Sequence, residues 1–253
     1  MARIRLEGVT RRFALPGGGA QTAVDHLDLE VRAGETLCLI GGSGCGKTTT
    51  LRLINRLEEA DAGRVLVDGV DVREQDPISL RRSMGYVVQS GALFPHLTVR
   101  RNVTLLCELE GWDEPRSRAR AEELLERVRL PAADFAERYP SELSGGQRQR
   151  VGVARALALA PPIVLLDEPF GALDPITRRE LQGEFLDLRR EGERSMVFVT
   201  HDLGEAFRLG DRVALLHEGH LLQVGTPEEL RRSPADERVA TFVAHHAAPE
   251  VSP

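Results

Sequence analysis

Lysine is almost missing from this chain. Of its 33 basic side chains, Lys47 alone is lysine and arginine supplies the other 32. Genome composition accounts for so general a preference, and nothing about stability follows from it. Other scarcities narrow the class of protein. Cys38, Cys45 and Cys107 are the only cysteines. Their odd number, without metal-ligand spacing, excludes a disulfide framework and fits a reducing compartment. No apolar run approaches the roughly 18–20 residues that cross a bilayer. The opening MARIRLEGVT lacks the apolar core of a secretory signal, so a cytoplasmic location is expected. A net charge of -6 opposes a surface that coats nucleic acid. What remains is an ordinary soluble composition, 42% hydrophobic and 28% charged over 253 residues, long enough to bury a proper core.

Apolar runs alternate with helical stretches, which predicts an α/β fold around a largely parallel sheet. ETLCLI (35–40), PIVLLD (162–167) and SMVFVT (195–200) are apolar without alternation, as strands covered on both faces are. RVLVDGVDV (64–72) and RVALLHEGHLLQVG (212–225) have the Gly-containing turns of antiparallel hairpins. Residues 92–158 carry charges and leucines at helical spacing with no strand signal, and are expected to form a helical insertion. LPGGGAQ (15–21) reads as a hairpin loop and AAPEVSP (247–253) as a frayed tail. HEGH (217–220) and His245-His246 invite a metal site, but a hairpin turn and a helix end explain them with less.

GGSGCGKT (41–48) fits G-x-x-x-x-G-K-[ST], after a predicted strand and before the helical pattern TTTLRLINRL. In such a loop successive N–H groups wrap a polyphosphate and the helix N-terminus adds partial positive charge. Gly41, Gly42, Ser43, Gly44, Cys45, Gly46, Lys47, Thr48 and Thr49 are therefore the expected nucleotide contacts. Lys47 would reach the β- and γ-phosphates, and the Thr48 hydroxyl would ligate Mg²⁺. An incidental lysine in a glycine-rich turn leaves unexplained why the sole lysine sits at the motif's lysine position. Arginine's wide planar fork does not replace a compact ammonium in a tight backbone cradle.

PIVLLDEP ends its strand on Asp167 and Glu168. Neighbouring strand residues face opposite ways, so the two carboxylates can serve two tasks. Asp167 would hold the Mg²⁺ shell and Glu168 would polarise an attacking water. In ELSGGQRQRVGVARALALAPP (142–162), Ser144 and Gln147 form an S-x-x-Q capping box. Two glycines in the following turn each cost up to about 1 kcal/mol against Ala, which suits a backbone that something must approach, such as a second phosphate group.

Those stretches together resemble the ATP-binding-cassette family of transporter ATPases, over about residues 3–243. The resemblance implies a P-loop NTPase (RecA-like) core with an antiparallel β subdomain and an inserted α-helical subdomain. That gives one ATPase domain over 1–247, its core at about 1–91 and 159–247 and its helical part at about 92–158. LSGGQ is the family's signature, so Ser144, Gly145, Gly146 and Gln147 would close over ATP held by a second copy of the chain. Gln89 matches the Q-loop, a Mg²⁺ contact that also senses the membrane subunit. Asp174 in GALD matches the loop at the dimer seam, and His201 the histidine that contacts the γ-phosphate. Phe13 matches the aromatic that stacks on adenine, and Val24 the apolar contact beside it. Each has a plainer reading: Asp174-Pro175 is a good helix start, Asp202 and Glu205 form another capping box, Gln89 suits a surface and Phe13 a core. Gly42 stands where many relatives have proline, and Phe13 where tyrosine is usual.

With no membrane span, the resemblance implies work through separate permease subunits docking near Gln89–Val99, on the inner face of the cell membrane. Phe94, Leu97 and Val99 would floor that groove or simply pack the helical part. A substrate-binding protein would be an indirect partner, and nucleic acid none. LRRSMGYVVQ, RYPSELSGGQRQRVGVARALA and DEPFGALDPITRREL are most similar to osmoprotectant importers of glycine betaine, choline, carnitine or proline. Phospholipid trafficking and amino-acid uptake are the alternatives, with soluble ABC ATPases of DNA repair or ribosomes further off. The paired regulatory domains that many osmoprotectant ATPases carry after the cassette are not expected. One measurement checks the central reading. An amine-reactive reagent should label only Lys47 and the N-terminus, with Mg-ATP protecting Lys47. Labelling that saturating nucleotide does not reduce overturns it.

Overall fold

The computed structural model describes residues 2–89, 92–171, 173–190 and 194–246. The expected tail at 247–253, Ser90 and Gly91 of the SGALF segment, and Ala172 of GALD lie outside the described residues. Along the chain come β1 (Ala2–Ala14), β2 (Ala20–Arg32), β3 (Thr36–Ile40), α1 (Lys47–Ile54), β4 (Ala62–Val67), β5 (Val70–Asp71) and α2 (Pro77–Arg82). Next are β6 (Met84–Val87), α3 (Val99–Leu109), α4 (Glu114–Arg127), α5 (Ala132–Phe135), α6 (Gly145–Ala156), β7 (Ile163–Asp167) and α7 (Pro175–Arg190). The last are β8 (Ser195–Val199), α8 (Leu203–Leu209), β9 (Arg212–His217), β10 (His220–Gly225), α9 (Pro227–Arg232) and α10 (Glu237–His246). The chain divides into two compact units, Met1–Leu80 with Ser195–Pro253, and Arg81–Arg194.

In the first unit β3 runs between β8 and β9 and is parallel to both. Every residue of β3 and of β8 is buried, which is why neither sequence alternates. β10 folds back antiparallel on β9 through the turn Glu218-Gly219, where both residues have positive φ. β1, β2, β4 and β5 make a separate antiparallel sheet in the order β2-β1-β4-β5. There the apolar residues do alternate: Leu27, Leu29 and Val31 of β2 are buried while the residues between them are not.

In the second unit β6 and β7 pair in parallel, from Met84↔Ile163 to Val87↔Leu166. The expected helices are all present. Thr98 caps α3 by accepting from Arg101 N–H, and Asp113 caps α4 by accepting from Arg116 N–H. Val99, Val103 and Cys107 form the buried stripe of α3, and Ala121, Leu124 and Leu125 that of α4. Burial pushes the Cys107 thiol above its ordinary pKa. Asn102 is wholly buried and pins the turn before α3. Its Oδ1 accepts from Phe94 N–H, and its Nδ2 donates to the carbonyls of Phe94, Leu97 and Thr98. That turn divides the expected apolar floor, since Val99 is fully buried within the helical part whereas Phe94 is exposed.

The largest buried side chains of this unit, Phe170 and Phe185, meet edge to face with centroids 5.7 Å apart. Phe185→Ala should destabilise the chain by about 3–5 kcal/mol, read from its urea unfolding midpoint.

Candidate nucleotide site

The first unit supplies the phosphate loop. β3 ends at Ile40, the loop turns over 41–46, and α1 begins at Lys47. Two of its glycines are demanded by the protein itself. At Gly41 (φ +145) a Cβ would lie 2.1 Å from the Leu216 carbonyl oxygen, and at Gly46 (φ +103) 2.3 Å from that of Ala23. Gly42 is different: it is exposed, and a Cβ there would meet nothing within 4 Å. The glycine at this departure from the family pattern thus answers no steric need.

Lys47 is only 7% exposed. Its Nζ donates to the carbonyls of Gly41 (2.8 Å) and Gly42 (2.9 Å), and lies 3.7 Å from Cys45 Sγ. A three-donor ammonium on a thin stem suits that pair of backbone oxygens better than a wide planar guanidinium would. Thr48 and Thr49 follow, half-buried, in the first turn of α1, which has no acidic residue to offset its positive end. Val24 is fully buried behind the loop, its Cγ2 3.3 Å from where a Gly46 Cβ would stand. Phe13 is half-buried, with the Arg11 guanidinium 4.7 Å from its ring centroid. Arg11 is itself held by Glu58 (2.8 Å) and Asp61 (3.2 Å).

His201 is exposed just past β8. The expected Asp202–Glu205 capping box is only half made. Asp202 Oδ1 accepts from Glu205 N–H (3.0 Å), but the Glu205 carboxylate accepts from the Thr200 hydroxyl (2.6 Å) instead of the Asp202 N–H. That N–H donates to Thr200 Oγ1 (3.0 Å). Thr200 and Glu205 are both buried, so the turn carrying His201 is braced from inside by a pair with no sequence motif of its own.

The second unit holds the acidic pair. Asp167 closes β7 and is 7% exposed. Glu168 lies beyond the strand with a left-handed backbone, φ +45. The chain thus leaves strand geometry between the two acidic residues. Gln89 Nε2 donates to Glu168 Oε2 at 2.8 Å, so two residues 79 positions apart in sequence meet. Gln149, 2% exposed on α6, donates to the carbonyl of Val88 (3.4 Å), tying the signature helix to the Gln89 segment. This contact was not legible beforehand, since Gln149 reads as one more polar residue in QRQR.

The Ser144–Gln147 box is complete: Gln147 N–H donates to Ser144 Oγ (3.2 Å) and Ser144 N–H to Gln147 Oε1 (2.9 Å). Ser144 and Gly145 are exposed, which leaves their backbone approachable. Gly146 has an internal reason as well, because a Cβ there would touch Leu173 and Thr177 at 3.3 Å. Asp174 caps α7, accepting from Ile176 N–H (3.1 Å) and Thr177 N–H (3.0 Å). Hydrogen bonding from Thr177 holds its carboxyl below the usual carboxylate range.

A Lys-bearing glycine loop between strand and helix, and an acid pair at the end of a parallel strand, define a P-loop nucleotide-binding α/β fold. Residues 24–171 match the family model for the ABC transporter, and the chain belongs to that family. It is 50% identical to the glycine betaine/carnitine/choline transport ATP-binding protein OpuCA of Bacillus subtilis over 95% of its own length. It is 47% identical to the osmoprotectant import ATP-binding protein OsmV of Salmonella typhimurium, again over 95%. The chain spans 62% of the length of the first relative and 63% of the second. Among solved structures it is similar to the bacterial ABC transporter cassette MJ0796 in a dimeric structure, with TM-score 0.83 and 35% identity over 88% of this chain and 98% of that one. Among the described residues no helix is long and apolar enough to cross a membrane.

The glycines of the loop can be told apart by experiment. Gly46→Ala should cost about 1–3 kcal/mol through backbone strain and collision, while Gly42→Ala should stay within about 0.5 kcal/mol. Chemical denaturation of the two variants compares them.

Proposed function

We propose that the chain binds and hydrolyses ATP and couples this to solute uptake through separate membrane subunits. The single observation that carries the chemistry is the buried Lys47 ammonium bonded to two loop carbonyls. A γ-phosphate offers that cation a better partner than two neutral carbonyls do. The loop's N–H groups and Lys47 hold and neutralise the β- and γ-phosphates. Glu168 accepts the proton of the attacking water as its oxygen bonds to the γ-phosphorus and the bond to the β–γ bridging oxygen breaks. His201 contacts the γ-phosphate. Gln89 Nε2 donates to one oxygen of the Glu168 carboxylate and so orients this base.

The donor set also fits Mg²⁺, a hard cation that prefers oxygen ligands. The Thr48 hydroxyl, the nearly buried Asp167 carboxylate and the Gln89 amide oxygen would hold it, and when bound it neutralises phosphate charge. Phe13 and Val24 take the adenine. Ser144, Gly145, Gly146 and Gln147 of a second copy close the sandwich, with Asp174 at the seam. Exposed Phe94 receives a permease subunit next to Gln89, on the inner face of the cell membrane. The one-domain division at about 1–91, 92–158 and 159–247 belongs to this reading.

The relatives' names support an osmoprotectant such as a quaternary amine as the imported solute, delivered by a binding protein. Glu168→Gln should bind Mg-ATP, lose roughly 10²–10⁴-fold in turnover and accumulate as a dimer under ATP. Full turnover of that variant refutes the assignment. Ser144→Arg should block dimerisation while the monomer still binds ATP. For the solute, deletion of the gene should abolish betaine uptake at high osmolarity, and unchanged uptake removes the osmoprotectant reading alone.

A further inference from the structure

Two turns that matter to the proposed dimer are joined inside the second unit. Ser144–Gln147 open α6, and the Asp174 turn opens α7. Gly146 packs against Leu173 and Thr177 so closely that it admits no larger residue without a shift. One turn further along α6, Arg150 is 8% exposed. Its Nη2 donates to Glu180 Oε2 of α7 at 2.6 Å, and its Nη1 to the carbonyl of Val128, the C-cap of α4, at 3.3 Å. Glu184, one turn beyond Glu180 and on the same face of α7, accepts from Arg129 Nε at 3.0 Å. Arg129 is well exposed, so Arg150 is the buried member of this clasp.

A buried cation is a costly way to fasten two helices, because an apolar pair of similar volume holds them without desolvating a charge. What a guanidinium adds is direction. Its two bonded nitrogens fix both the rotation of α6 and its distance from α7 and α4. We propose that Arg150 is a positioning residue: through Glu180 it binds the signature turn to the Asp174 turn, so that closure of Ser144–Gln147 over a partner's nucleotide moves the Asp174 turn with it. This rests on the ATP-sandwich reading above.

The test uses the full chain carrying Glu168→Gln, with ATP-driven dimerisation followed by light scattering and monomer ATP affinity by equilibrium dialysis. Arg150→Met should raise the ATP concentration for half-maximal dimerisation roughly five- to a hundredfold while monomer affinity changes less than about twofold. Arg150→Lys should recover part of the loss, since it keeps the charge but gives up one directed bond. Arg150→Met with Glu180→Met should be no worse than the worse single variant, because both remove one interaction. If Arg150→Met lowers the melting temperature yet dimerises at the parent's ATP concentration, the residue is only structural and the proposal falls. If Arg150→Met does not fold, Arg150→Lys and Glu180→Gln decide, and parent-like dimerisation of both overturns it. A parent that never dimerises with ATP removes the sandwich reading itself, whereas a dimerising parent matched by every variant removes Arg150's role alone.

Discussion

The interaction on which the rest depends is the one between the Lys47 ammonium and the backbone around it. A positive charge almost out of water is tolerable only where oxygens surround it, and here they are peptide carbonyls of Gly41 and Gly42. Those carbonyls are in place because Gly41 and Gly46 take backbone conformations, and fit spaces, that a Cβ would forbid. The loop in turn is anchored by β3, whose five buried residues sit between parallel neighbours. The chain therefore prepares a cation in a shape set by main chain alone. That is the condition under which a polyanion is bound with little reorganisation.

What was legible in the sequence is what short-range geometry decides. The unbroken apolar runs became strands buried on every residue, and Ser144–Gln147 became a complete capping box. The phosphate loop was legible because its spacing encodes a single local conformation. What stayed hidden depends on partners far along the chain. Gln149 reaches Val88, Gln89 meets Glu168 and Arg150 finds Glu180 only once β6, α6, β7 and α7 are assembled. A local rule also misjudged one detail: the capping box at Asp202 lost its second half, because the Glu205 carboxylate accepts from the buried Thr200 hydroxyl and the Asp202 N–H donates to Thr200 Oγ1.

The polar groups of the second unit that have proposed tasks bond to one another or to nearby main chain. Ser144 and Gln147 satisfy each other, Asp174 caps its helix, and the Gln89 amide sits on Glu168. Each is also a residue with a proposed task in the closed dimer. Closing therefore exchanges existing hydrogen bonds for new ones, and the balance between open and closed forms is set by differences far smaller than the individual bonds.

The scarcity of lysine has a meaning beyond the site. Arginine fills the 32 other basic positions, among them surface pairs, a helix end and the faces of Phe13 and Trp112. The one lysine is the residue held by main-chain oxygens. Ubiquitin-like conjugation or acylation aimed at side-chain amines would accordingly find a single address in this polypeptide, sealed within its own phosphate loop.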